Sequence, residues 1–162
     1  MKSTIVVFGS STGTCENIAN IIAEKLGVEA INVTDFSADT IANHDNLILG
    51  TSTWGAGELQ DDWYDGVNVL KDADLSGKTV AIFGCGDSES YSDTFCTAMK
   101  EIYDAAEGAN IIGSVSTDGY TFDDSDAVVD GKFIGLALDD VNEDDKTEGR
   151  IDAWLDSIKG SL

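Results

Sequence analysis

Five short apolar runs alternate along this chain with segments whose apolar residues recur at helical spacing, and that alternation constrains the fold most tightly. The runs are Thr4–Phe8, Glu29–Val33, Leu47–Gly50, Thr79–Gly84 and Asn110–Ser114. Two are nearly all apolar, which suits strands of a parallel sheet covered on both faces. Ile18, Ile21, Ile22 and Leu26 mark a first helix, with Gly27 as its predicted C-cap. Leu59, Trp63, Val67 and Leu70 fall at spacings of 4, 4 and 3. Phe95, Met99, Ile102, Tyr103 and Ala106 follow the same logic behind a predicted N-cap at Ser92 or Asp93, as do Ile151, Trp154, Leu155 and Ile158. These βα units predict an α/β doubly wound, five-stranded parallel sheet with helices on both faces. At 162 residues and 42% hydrophobic content, residues 1–162 read as a single domain with one core.

One segment breaks the alternation. Thr117 to Leu138 is turn-rich and acidic before it returns to a strand-like FIGLAL. It reads as an insertion splitting the last strand, with Phe133–Leu138 completing it. From Asp118 to Asp156 there are 13 acids against the bases Lys132, Lys146 and Arg150, but the EF-hand order of a calcium loop is missing.

Charge and cysteine usage exclude several functions. Lys plus Arg total 9 against 31 Asp plus Glu, a net charge of −22, so nucleic acid and anionic membranes would repel the chain. A basic protein surface is its natural complement. Cys15, Cys85 and Cys96 form no C-x-x-C pair, and with the single His44 they offer no metal ligand set. With no apolar stretch long enough to span a bilayer and no charged leader, the expectation is a monomer in the reducing cytoplasm.

In a doubly wound sheet, ligands sit beyond the carboxyl ends of the strands. That places three loops on one rim. The first, GSSTGTCE from Gly9 to Glu16, joins a strand to a helix N-terminus and is a phosphate cradle. Backbone N–H groups and the positive helix end converge there, and hydroxyls of Ser10, Ser11, Thr12 and Thr14 add donors. The loop contains no Lys or Arg, so an anion would be held by neutral donors. It is not a nucleotide P-loop, because three residues separate Gly9 from Gly13 and Thr14 replaces the Lys. The other loops, TSTWGAGELQ and GCGDSESYSD, each carry one large aromatic, Trp54 and Tyr91. Two such rings beside a phosphate cradle suit a flat ligand, each stacked pair contributing roughly 0.5–1.5 kcal/mol beyond area burial.

With GSSTGTCE, STWGAGELQDDW and GCGDSESYSDTF in order, and STDGYTFDDSDAVVDGKFIGLALD after them, the chain resembles a flavodoxin of the long-chain type over essentially its whole length. The resemblance implies strand order 2-1-3-4-5 and noncovalently bound FMN. It places the phosphate on Ser10, Ser11, Thr12, Gly13, Thr14 and Cys15, and the isoalloxazine between Trp54 and Tyr91. Loop contacts to the ring would come from Thr53, Gly55, Ala56, Gly57, Cys85, Gly86 and Asp87. A backbone carbonyl at Gly55–Ala56 would accept the proton that arrives with the first electron. Cys15 stands where these proteins usually have Thr; a helix N-terminus lowers its pKa and a phosphate raises it. Ser52 stands where many members have Pro.

The implied function is a low-potential one-electron carrier, not an enzyme. It would shuttle between basic-surfaced redox proteins such as flavodoxin or ferredoxin reductases and other low-potential oxidoreductases. Acids at Glu58, Asp61, Asp62, Asp65, Glu89 and Asp93 would steer those partners and disfavour a further electron on the flavin. The alternative is an FMN-dependent NAD(P)H:quinone reductase on a related fold, although no Arg or Lys is placed to grip an NAD(P) phosphate. A phospho-acceptor receiver domain is disfavoured because neither the first nor the third strand ends in Asp.

Overall fold

The computed structural model describes residues 3–9, 13–54, 58–59, 62–86, 95–118, 120, 122, 124–139 and 142–162, with backbone alone at 53, 54, 58 and 59. In chain order the elements are β1 (Thr4–Gly9), α1 (Thr14–Leu26), β2 (Glu29–Asn32), α2 (Ala38–Ala42), β3 (Asn46–Trp54), β4 (Glu58–Leu59) and α3 (Trp63–Asp72). There follow β5 (Thr79–Cys85), α4 (Met99–Ala105), β6 (Asn110–Ile112), β7 (Val115–Ser116), β8 (Val128–Val129), β9 (Lys132–Phe133), β10 (Leu136–Leu138) and α5 (Asp144–Ile158).

Parallel pairing runs β2–β1–β3–β5, and both β6 and β10 then pair with the outer edge of β5. β6 lies opposite Thr79–Ala81 and β10 opposite Phe83–Cys85. They are two halves of one strand, so the order is 2-1-3-4-5 as expected. A Cβ at Gly135 would overlap the Ile82 carbonyl oxygen, so a residue without a side chain lets the chain rejoin the edge. Alternate residues of each strand face opposite layers. Ile5, Val7, Leu47, Leu49, Val80 and Ile82 meet α3 and α4 on one side. Val6, Phe8, Ile48, Ala81, Phe83 and Leu136 meet α1 and α5 on the other.

Several elements depart from the periodicity. Leu59 is not on the helical stripe; it pairs with Thr53 across the antiparallel β3–β4 contact, and α3 starts four residues later at Trp63. The next helix is capped by Ala98, not by Ser92 or Asp93, and Phe95 precedes it in a turn. Cys96 has a positive φ of 53°, a left-handed conformation that a right-handed helix cannot contain. Gly27 does close α1 as expected, left-handed at φ 70° with its N–H bonded to the last-turn carbonyls. The short α2 was not anticipated: Ser37 N donates to Thr40 Oγ1 at 3.3 Å, a local capping signal with too few apolar residues to register as a stripe.

The insertion is structured. β7, β9 and β8 form a second, antiparallel sheet in that order. Only Leu136–Leu138 rejoins the main sheet; Phe133, expected there, pairs with Val115 and Val128 instead. Asp130 and Gly131 both have positive φ, 54° and 82°, a tight two-residue turn that suits the strand twist. Phe133 packs edge-on against Tyr120 and Phe95, with ring centroids 4.9 and 6.0 Å away. The Tyr120 hydroxyl donates to Ala137 O at 2.7 Å, and the Arg150 guanidinium lies 3.9 Å over the Tyr120 ring. Arg150 in turn donates to Glu143 at 3.2 Å, binding the insertion to the start of α5.

Two glycines in helices should respond oppositely to Ala. A Cβ at Gly66 would sit 2.6 Å from both Trp63 and Val33 side-chain carbons. Gly66→Ala is expected to lose about 1–3 kcal/mol in denaturant unfolding. Gly149 faces open space on exposed α5, and Gly149→Ala should gain up to about 1 kcal/mol. Lys146 foremost, and Arg150 after it, hold the Glu143 carboxyl below its ordinary value of 4.5. Its folded pKa is therefore lower than its unfolded one. The stabilisation is complete above the unfolded value and lost as pH falls through the folded one. Glu143→Gln should flatten the acid side of the stability–pH curve, read from unfolding midpoints between pH 3 and 6.

Candidate functional site

The parallel register sets the ends of β1 and β5 against Thr51 and Ser52 of β3, which runs on to Trp54. Gly9 at the end of β1 pairs with Thr51, Thr51 with Gly84, and Ser52 with Cys85 at the end of β5. Adjacent strands lie about 4.8 Å apart, so Gly9, Thr51 and Gly84 lie within roughly 10 Å of one another. Trp63 fixes the outer boundary of this edge, its indole N–H donating to Gly50 O at 2.6 Å. Gly50 is needed opposite β5, because a Cβ there would run into the Phe83 ring.

α1 meets the edge with its N-terminus. Gly13 precedes its first turn at φ 90°, with open space where a Cβ would stand. Having no side chain, Gly13 cannot cap the helix, and the first-turn N–H groups of Thr14, Cys15 and Glu16 have no intrahelical acceptor. They point out at the level of the strand ends, where the helix dipole favours an anion. A second signal lies beside them: the Ser52 hydroxyl oxygen is buried with no hydrogen-bond partner among the described residues. Open space, outward N–H groups, a buried hydroxyl and the absence of cations from Gly9 to Glu16 together fit a phosphate-bearing ligand held by neutral donors.

Three thiols underlie the same edge. Cys15, Cys85 and Cys96 are all buried and free. The Cys15 thiol contacts Cys85 and the Gly9 backbone, and Cys96 Sγ lies 3.7 Å from Leu138 O. The hydrogen bond to Cys85 and burial push the Cys15 pKa well above its ordinary value, outweighing the Gly9 contact that lowers it. Burial likewise raises Cys96. Cys15 and Cys96 are therefore neutral packing groups.

Gly86 continues the edge, its N–H donating to Leu138 O at 2.9 Å. A Cβ there would come within 2.9 Å of Cys96 N, so Gly86 lies directly on the turn that precedes α4. Of the residues expected at the site, Gly13, Thr14, Cys15, Cys85 and Gly86 are gathered here, and the backbone of Thr53 and Trp54 ends β3. Ser10, Ser11, Thr12, Gly55, Ala56, Gly57, Asp87 and Tyr91 lie outside the described residues, as do the side chains of Thr53 and Trp54. Sequence reading missed the clustering of the cysteines, because chain separations of 70 and 11 residues carry no spacing signal. It also missed the orphaned Ser52 hydroxyl, which only the strand register buries.

Among the described residues, no group of three or more His, Cys, Asp or Glu could hold a metal ion, and no helix is long and apolar enough to cross a membrane. The sequence profile of the family described as Flavodoxin matches residues 6–154. Flavodoxin 1 of Azotobacter vinelandii is 42% identical, covering 93% of this chain and 91% of its own. The flavodoxin of Helicobacter pylori is 39% identical over 97% of this chain and 96% of its own. Among solved structures, a Fusobacterium nucleatum flavodoxin bound to flavin mononucleotide superposes with a TM-score of 0.93 at 32% identity, covering 100% of this chain and 99% of that one. With its strand ends on one edge, its α1 N-terminus and its split last strand, the chain belongs to the flavodoxin family and is of the long-chain type.

Proposed function

We infer that this chain binds FMN noncovalently at the carboxyl edge and carries single electrons between redox proteins. The observation that carries the reading is the cation-free anion site at the start of α1, at the edge that β1, β3 and β5 share. The phosphate is held by N–H groups of Gly13, Thr14 and Cys15 with the hydroxyls of Ser10, Ser11, Thr12 and Thr14. Trp54 and Tyr91 bracket the ring. Thr53, Gly55, Ala56, Gly57, Cys85, Gly86 and Asp87 offer backbone and polar contacts to its edges. When bound, FMN supplies the one-electron redox chemistry.

The chain's own residues then tune that chemistry. Gly55 relaxes the backbone restriction on turning a carbonyl toward a ring nitrogen that takes up a proton. A phosphate that no Lys or Arg neutralises and a chain charge of −22 disfavour the addition of negative charge at the edge. The same acids favour approach by basic partners and suit a freely diffusing carrier in the cytoplasm. The chain acts as a carrier, not as an enzyme with its own substrate, because no Arg or Lys in the rim loops from 9–16, 51–60 and 84–93 could grip an NAD(P) phosphate.

Titration of the apoprotein with FMN, followed by flavin fluorescence, should show tight one-to-one quenching. Trp54→Ala should weaken it by about tenfold, the worth of one stacked ring and its buried area. Failure of the parent chain to take up FMN would overturn the assignment. The second electron should enter at a strongly reducing potential. Neutralising Glu58, Asp61 and Asp62 together should raise it by on the order of 50 mV or more, given roughly 1–2 kcal/mol per charge at ~10 Å before screening and about 59 mV per tenfold. An unchanged potential in spectroelectrochemical titration would refute the electrostatic account.

A further inference from the structure

We propose that Tyr64 is the aromatic anchor on which a basic redox partner docks, its ring receiving a guanidinium or ammonium group of the partner beside the edge where electrons pass. The proposal rests on the carrier function inferred above.

Tyr64 is the one large apolar side chain that the described residues leave exposed, at 51%. The fold does not need it there. Trp63, Val67 and Leu70 supply the buried stripe of α3, and Tyr64, about 100° round the helix from Trp63, lies outside that stripe. Its position relative to the edge is fixed by its neighbour. The Trp63 indole is bonded to Gly50, which pairs with Phe8 and Phe83, one residue short of Gly9 and two short of Cys85. The next Cα is about 3.8 Å on. Tyr64 therefore stands on the outer flank of the carboxyl edge, in the first turn of the helix that leaves the rim.

The surrounding charge says what would cover it. Asp62 and Asp65 flank Tyr64 in the sequence at the start of α3, and the nearest base along the helix is Lys71, seven residues or roughly 10 Å further along the axis. A second copy of the chain is ruled out as occupant by mutual repulsion between two bodies of charge −22. A cation is drawn in by the two carboxylates and held over the ring face by its quadrupole. A third carboxylate at this position would steer as well, but it would bring no contact area and no ring face. Tyrosine is one of the residue types in which interfaces concentrate binding energy.

The test uses the FMN-loaded chain with ferricytochrome c as the basic redox protein and ferricyanide as a small anionic acceptor. In stopped-flow mixing, one electron passes from the reduced flavin to the ferric haem, which becomes ferrous. Tyr64→Ala should slow this reaction about three- to tenfold at low salt, while Tyr64→Phe stays within about twofold. Calorimetric affinity between the oxidised proteins should fall by the same factor. FMN uptake and the ferricyanide rate should not change. An unchanged cytochrome rate and affinity in Tyr64→Ala would overturn the proposal. So would equal slowing with ferricyanide, which would locate the effect in the flavin site. A parent chain that takes up no FMN would fail earlier, in the titration, and would remove the carrier function itself.

Discussion

The parallel ladder of β1, β3 and β5 is the constraint on which the remaining architecture depends. Its register sets Gly9, Thr51 and Gly84 side by side, so three neighbouring strands reach the same edge, with β3 running three residues beyond Thr51. The residues that make this ladder are buried on both faces: Val6, Val7, Leu47, Ile48, Leu49, Val80 and Ile82 are all fully enclosed. A slip of one residue would exchange the two layers and move the loops out of line, at the cost of the whole core. The packing that stabilises the fold thus also positions the ligand edge.

Glycine marks where that ladder and its helices approach most closely. Gly50 makes room for the Phe83 ring, and Gly86 for the Cys96 backbone. Between them the sheet edge has little slack. The three thiols fit the same pattern. Where a hydroxyl at position 15 could bond a phosphate directly, the Cys15 thiol turns to Cys85 and the Gly9 backbone, joining α1 to the ends of β1 and β5.

What the sequence makes legible follows from the range of the interactions. The strand order, carried by the resemblance, stands, as do the layers, the apolar stripe of α5 and the Gly27 cap, which are written in local periodicity or in motifs of a few residues. Leu59 has helical spacing by coincidence: its pairing with Thr53 depends on a turn that apolar periodicity does not encode. The start of α4 is displaced by Cys96, whose left-handed backbone a right-handed helix cannot contain. Phe133 reads as part of the last strand because FIGLAL is continuously apolar. The Asp130–Gly131 turn, a recognisable hairpin signal, instead commits Phe133 to the insertion's own sheet. Contacts between Cys15, Cys85 and Cys96, or between Arg150 and Tyr120, join residues far apart in the chain and leave no trace in spacing.

The insertion shows how an excursion can be accommodated without disturbing the edge it interrupts. Splitting the last strand leaves β6 against the start of β5 and β10 against its end, so the outer strand still delivers Leu138 to the Gly86 N–H. The insertion buries Phe133 in the core on the α3–α4 side of the sheet, with Tyr120 packed against it, and is fastened to the domain through the Tyr120 hydroxyl and the Arg150 guanidinium. Phe95 N donates to Asp124 O at 3.3 Å and Thr97 Oγ1 accepts from Asp126 N at 3.1 Å. Those bonds fix the turn that follows the third rim loop. The segment is therefore mechanically part of the site although it contributes no expected ligand contact: its hydrogen bonds determine where the chain leaves the loop that carries Tyr91.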